Sequence, residues 1–248
     1  MVVGALVIVL VVGVVALVVA RSVSGGGAAD QSQPGAVIVV PGYGGTASDV
    51  MPIVDELRRE GRTAIAFQPT GGGTGDLRVQ AKRLADLAQR TIDRTGIASV
   101  DVVGYSAGGV VAGLWVARDD GAAKARRIVT IGAPLAGTTL AALGASEAPD
   151  ACPTACRQLA PGSTVLAELA RAGVGAALPW LSLWTADDRT VTPPESARLP
   201  GAVNVRLQDL CPGAVVSHDA LPGNPAVAGV VTAALGTGPL GAGVGCPT

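Results

Sequence analysis

Ser99-Val100-Asp101-Val102-Val103-Gly104-Tyr105-Ser106-Ala107-Gly108-Gly109-Val110-Val111 is the stretch that decides the reading of this chain. Val100, Val102 and Val103 predict a buried strand, and the small and apolar residues from Ala107 to Arg118 predict a helix. Between them, Gly104-Tyr105-Ser106-Ala107-Gly108 fits the Gly-x-Ser-x-Gly pattern of a nucleophile elbow, a sharp strand-to-helix turn that presents a serine hydroxyl. The glycines have a physical reason. The serine sits in a strained backbone conformation, and a side chain two positions to either side would collide with neighbouring elements. The five-residue pattern is short and recurs by chance. Its strand–turn–helix setting separates it from an ordinary glycine-rich turn with an incidental serine.

On either side of this stretch, strands and helices alternate. Strands are predicted at Ala36 to Val40, Thr63 to Phe67, Ser99 to Val103, Arg127 to Ile131, Trp180 to Thr185 and Val203 to Leu207. Helical spacing runs over Ser48 to Glu60 (Val50, Ile53, Val54, Leu57), with Gly61 as its stop. Further helices are predicted at Leu77 to Arg94, Ala107 to Arg118, Thr164 to Arg171 and Asn224 to Leu235, and residues 70–76 form a glycine loop. This rhythm predicts an α/β architecture, a parallel sheet covered on both faces. It breaks from Pro134 to Pro179, an Ala- and Gly-rich insertion placed to cap or border a site. Lys124, Arg126 and Arg127 read as a solvated helix end.

A serine hydroxyl needs a base within hydrogen-bond reach. His218 is the sole histidine of the chain and lies between the last predicted strand and the last helix. The acid that orients it should lie between Ser106 and His218, after a strand. Asp187 and Asp188 both fit, and local chemistry does not separate them; Asp209, on the histidine's own loop, is a distant third. The order Ser, Asp, His along the chain is that of α/β hydrolases. The developing oxyanion needs two backbone N–H groups. Ala107, directly after the serine, supplies one; Tyr43 in Pro41-Gly42-Tyr43-Gly44-Gly45 is the candidate for the other, with the neighbouring glycines as fallback.

Across most of residues 36–236 the chain resembles the small extracellular bacterial lipases and esterases known as lipase class 2. The resemblance rests on Val-Pro-Gly-Tyr-Gly-Gly (40–45), Gly-Thr-Gly-Asp (73–76), the elbow, Gly-Ala-Pro-Leu-Ala-Gly-Thr (132–138), Cys152 and Cys156 before Pro161-Gly162-Ser163, and Asp188-Arg189-Thr190-Val191-Thr192-Pro193. It implies an α/β-hydrolase fold of about six mostly parallel strands, acyl-ester substrates and no required cofactor. In such enzymes the acid lies in an Asp-x-x-Val-x-Pro context, which Asp188 matches and Asp187 does not. Departures are Pro41, Tyr105 and Leu135, where the family often carries histidine. None is one of the three residues of the serine–histidine–aspartate set, but they leave substrate preference open.

The 248 residues suit one large domain (35–248) behind a linker (21–34) and a leader (1–20). A net charge of −1 does not point to nucleic acid or an anionic surface as a partner. Val2 to Ala20 is an unbroken apolar run, about 28 Å as a helix at 1.5 Å per residue, which reads as a membrane anchor or export signal. The chain is therefore expected outside the cytoplasm, anchored or released. Four cysteines in such a chain suggest disulfides; of three pairings, proximity favours Cys152–Cys156 with Cys211–Cys246. One histidine and no second short cysteine pair leave little for zinc.

Three rivals stand beside the hydrolase. Gly42-x-Gly44-x-x-Ala47 follows a strand and opens a helix, as in dinucleotide-binding folds, but the next strand ends at Phe67-Gln68 without an acid for a ribose. A membrane-tethered binding protein of the same fold would usually have lost one of Ser106, Asp188 and His218. An acyltransferase or thioesterase would use the same three groups. Gly71 to Gly75 lacks the Gly-Lys-Ser/Thr ending of a phosphate loop.

Overall fold

A computed structural model describes residues 29–241, 245 and 246. The first core strand, β1 (Val37–Val40), is a run of β-branched residues buried on both faces. It is followed by α1 (Met51–Arg59), β2 (Ala64–Ala66), α2 (Leu77–Thr95), β3 (Val100–Tyr105) and α3 (Ala107–Arg118). Next come β4 (Ala125–Ile131), then α4 (Thr139–Glu147), α5 (Thr154–Gln158) and α6 (Thr164–Ala172), which lie in the insertion. β5 (Trp180–Trp184), β6 (Val203–Arg206) and α7 (Pro225–Ala234) complete the order. The predicted strands all form, within two residues at each end, and they make one six-stranded, wholly parallel sheet ordered β2-β1-β3-β4-β5-β6.

Side-chain alternation divides the core in two. Ile38, Val40, Val102 and Ile128 face α2, α3 and α6, whereas Val37, Val39, Val103 and Val129 face α1 and α7. Caps set the helix limits. Asp76 accepts the Arg78 amide at the start of α2, Ser163 accepts the Leu166 amide before α6, and Asn224 accepts two amides ahead of Pro225 in α7. The chain runs outward from β1 to β2 and then returns past β1 to β3. The strand order thus reverses between β1 and β3, and the crevice at their C-terminal ends is where this class of sheet places ligands.

The opposite end of the sheet is closed by buried charge. Asp101 and Arg126 are fully buried; Arg126 Nε and Nη2 donate to the two Asp101 carboxylate oxygens at 2.9 and 2.6 Å. Arg62 Nη2 also donates to Asp101 at 2.5 Å. Arg126 and Arg127 donate in addition to the carbonyls of Leu235, Gly236, Ala234 and Gly238 at and beyond the end of α7. Those carbonyls have no partner within the helix, so cations satisfy both their lone pairs and the helix dipole. This corrects the expectation of a solvated helix end. Lys124 does close a one-turn helix (Gly121–Lys124), but Arg126 and Arg127 belong to β4 and are buried. Contact with the body begins as early as Gln31, within the segment read as a linker: its side chain and carbonyl bond Arg126 and Arg127.

Disulfides join Cys152 to Cys156 and Cys211 to Cys246, the pairing that proximity favours. The apolar run at 2–20 lies outside the described residues; among those described, no helix is long and apolar enough to cross a membrane.

Removing one partner of a buried ion pair leaves the other charge uncompensated. Asp101→Asn is expected to lower stability by about 3–5 kcal/mol. The urea midpoint measures it, and an unchanged midpoint would contradict the account of Asp101 as a structural anchor.

Candidate active site

Ser106 stands at the end of β3 with φ 51° and ψ −126°, left-handed backbone that non-glycine residues seldom adopt. Such a residue costs on the order of 1–3 kcal/mol and persists only where its surroundings over-determine it. They do here. The Ser106 amide donates to Ile131 O at 2.9 Å, and its carbonyl accepts the Gly109 amide at 2.9 Å. The flanking glycines explain the close approach: a Cβ at Gly108 would lie 2.3 Å from Val40 O, and one at Gly104 would lie 2.6 Å from Gly109 Cα. The start of α3 therefore packs backbone to backbone on β1 and β3.

The loop between β6 and α7 delivers His218 to the same point. His218 Nε2 is 3.0 Å from Ser106 Oγ, and Nδ1 is 2.7 Å from Asp188 Oδ2. All three side chains are buried. The structure also separates the two aspartates. Asp188 Oδ1 accepts the amides of Thr190 (2.9 Å) and Val191 (2.7 Å), which leaves Oδ2 for the imidazole. Asp187 turns instead to the histidine's loop and accepts the Val216 amide and Gln208 Nε2, each at 3.1 Å. Thr185 Oγ1 donates to Val216 O at 2.8 Å, a second hold on that loop. Asp209 pairs with Arg206 at the surface, away from this group.

Tyr105, whose part the sequence reading missed, lies directly before the serine. Its hydroxyl donates to His218 O at 3.3 Å, and its ring centroid is 5.2 Å from the imidazole. Burial, then the carboxylates of Asp219, Asp188 and Asp49, push its pKa well above the ordinary tyrosine range, so it remains a neutral donor. The signal was in plain sight at the variable position of the elbow, but a motif letter "x" carries no partner.

The loop after β1 lies against the serine: a Cβ at Gly42 would be 3.0 Å from Ser106 Cβ and 3.5 Å from its Oγ. Gly44 N and Gly45 N are engaged, by Gly73 O at 3.5 Å and Gly42 O at 3.2 Å. The amides of Tyr43 and Ala107 have no acceptor among the described residues. An apolar cleft of about 130 Å³ opens beside Ser106, walled by Tyr43, Pro134, Leu140, Ala141, Leu159 and Val191. The insertion thus supplies one wall. Thr138 ties it to the acid's loop, accepting the Thr192 amide at 3.1 Å and donating to Thr190 O at 2.8 Å. Helix α4 rests on the Cys152–Cys156 bridge, where a Cβ at Gly144 would lie 3.2 Å from Cys156 Sγ. Among the described residues, no cluster of His, Cys, Asp and Glu is arranged to hold a metal ion.

The order and direction of the strands, the elbow after β3 and the histidine loop after β6 identify the architecture. The fold is that of the α/β hydrolases. A family model described as alpha/beta hydrolase fold matches residues 35–151. Among solved structures, lipase B of Aspergillus fumigatus superposes with a TM-score of 0.70 at 19% identity, over 83% of this chain and 54% of that one. This chain therefore spans about half the length of the fungal lipase. The mature form of lipase BlEst2 of Bacillus licheniformis gives a TM-score of 0.67 at 18% identity, over 84% and 94%. An N-formylmaleamic acid deformylase, Nfo of Pseudomonas putida S16, gives 0.52 at 14%, over 78% and 89%. No curated protein matches the chain in sequence. At these identities the likeness establishes the fold, and with the family model it supports a hydrolase that resembles lipases.

Gly108→Ala places a methyl group 2.3 Å from Val40 O, whereas a Cβ at Gly75 meets nothing within 4 Å. The first is expected to cost about 1–3 kcal/mol through overpacking, and Gly75→Ala to stay within about 0.5 kcal/mol. Thermal melts of the two variants side by side test whether backbone contact, not loop chemistry, sets the elbow.

Proposed function

We propose that the chain is a serine hydrolase that cleaves carboxyl esters through an acyl-serine intermediate. The observation that carries this reading is the buried chain of two contacts, 3.0 Å from Ser106 Oγ to His218 Nε2 and 2.7 Å from His218 Nδ1 to Asp188 Oδ2, at the edge of an apolar cleft. Ser106 Oγ attacks the ester carbonyl while His218 takes its proton. Asp188 fixes the imidazole tautomer and stabilises the imidazolium. The amides of Tyr43 and Ala107 receive the oxyanion. The tetrahedral intermediate collapses as His218 returns the proton to the departing alcohol. A water molecule, deprotonated by His218, then attacks the acyl-Ser106 carbonyl and releases the acid.

The lipase neighbours and the apolar cleft favour a lipid or other small acyl ester over a polar substrate. An acyltransferase or thioesterase would share every step up to the acyl-enzyme and differ in the acceptor or the leaving group. The two disulfides favour an oxidising compartment, with residues 2–20 as anchor or export signal.

The test is hydrolysis of p-nitrophenyl esters of graded chain length by residues 29–248. Ser106→Ala is expected to abolish turnover. Asp188→Asn is expected to lower kcat by about 10⁴-fold, since the imidazole would then hold the wrong tautomer. Asp187→Asn should cost far less, because Asp187 holds the loop and not the ring. Equal losses in the two aspartate variants would contradict the assignment of the acid, and wild-type activity in Ser106→Ala would contradict the nucleophile.

A further inference from the structure

Behind the loop that walls the cleft lies a second hollow that the proposed reaction does not use. Pro134 faces the cleft; the next residue, Leu135, lines a separate groove of about 370 Å³. Its other apolar walls include Leu166 and Leu169 of α6, Val174 of the following turn, and Leu199 before β6. One charged residue is among those that line it, the solvent-exposed Arg198. Arg198 lies over the Trp184 ring, 5.5 Å from its centroid. Among the described residues its side chain makes no ion pair and no hydrogen bond, and the Trp184 ring is its one recorded side-chain contact.

We propose that this groove binds an aliphatic monocarboxylate, with the hydrocarbon chain along the leucines and the carboxylate on Arg198. Charge complementarity and lining choose the ligand. A neutral lipid would make no use of the cation, and a short polar anion would make no use of the apolar lining. A planar fork of N–H donors suits a carboxylate, and stacking on Trp184 holds that fork in place. The choice of ligand rests on the proposed ester hydrolysis, which releases such an acid, and the groove gives the product a seat outside the cleft. The Ala136 amide donates to Ser196 O at 2.8 Å, which ties the loop that walls the cleft to the segment that leads into Arg198.

The experiment is calorimetric titration of residues 29–248 with laurate below its micelle concentration, with dodecanol and butyrate as controls for the head and the chain. Laurate is expected to bind and the two controls not to bind detectably. Arg198→Glu, and Ala170→Trp at an exposed position on the groove lining, should each weaken laurate by about tenfold or more, as loss of a charged hydrogen bond or of chain contacts predicts. Ser106→Ala should bind as the wild type does, which keeps this result separate from the fate of the hydrolase reading. Laurate binding indifferent to both groove variants, equal binding of dodecanol, or no binding by the folded wild type would each overturn the proposal.

Discussion

The backbone contact between the first turn of α3 and the ends of β1 and β3 is the constraint on which the rest of the site depends. Gly108 meets Val40 O with no room for a methyl group, and Gly104 meets Gly109 in the same way. Because the helix starts that close to the sheet, the chain must turn within a single residue, and Ser106 takes left-handed backbone to do so. The strain is held by ordinary hydrogen bonds to Ile131 and Gly109. It is stored in a region that the buried strands on either side keep rigid.

Around that fixed hydroxyl, the other groups are held by loops that brace one another. Asp188 spends one carboxylate oxygen on its own loop's amides and offers the other to His218. Asp187, one residue earlier, braces the histidine's loop through Val216 and Gln208. Adjacent acids thus do different work because consecutive side chains leave the chain in different directions. Tyr105 adds a third hold, from the elbow to the His218 carbonyl. The Cys211–Cys246 bridge adds a covalent one to the segment that leads into that loop.

Much of this was legible in the sequence, for identifiable reasons. Strands buried on both faces read as continuous β-branched runs, so Val37–Val40 and Val100–Val103 stood out, and the elbow's glycines marked the turn. His218 was legible by elimination, being the sole histidine. The two aspartates were not separable by local chemistry, because the difference lies in partners at 190, 191, 208 and 216 that only the fold brings together. Arg126 and Arg127 misled for a related reason. Charge in sequence suggests solvent, and only Asp101 and the carbonyls after α7, far along the chain, make their burial tolerable. The roles of Tyr105 and Gln208 likewise depend on contacts across loops.

Ser106, activated by His218, is the proposed nucleophile. The most direct measurement is reaction of the folded protein with a fluorophosphonate, followed by mass spectrometry of the digested adduct. A single phosphonyl group on the peptide carrying Ser106, absent from His218→Ala, is the expected result. A folded protein that takes up no label, or takes it up elsewhere with Ser106 unmodified, would contradict the claim.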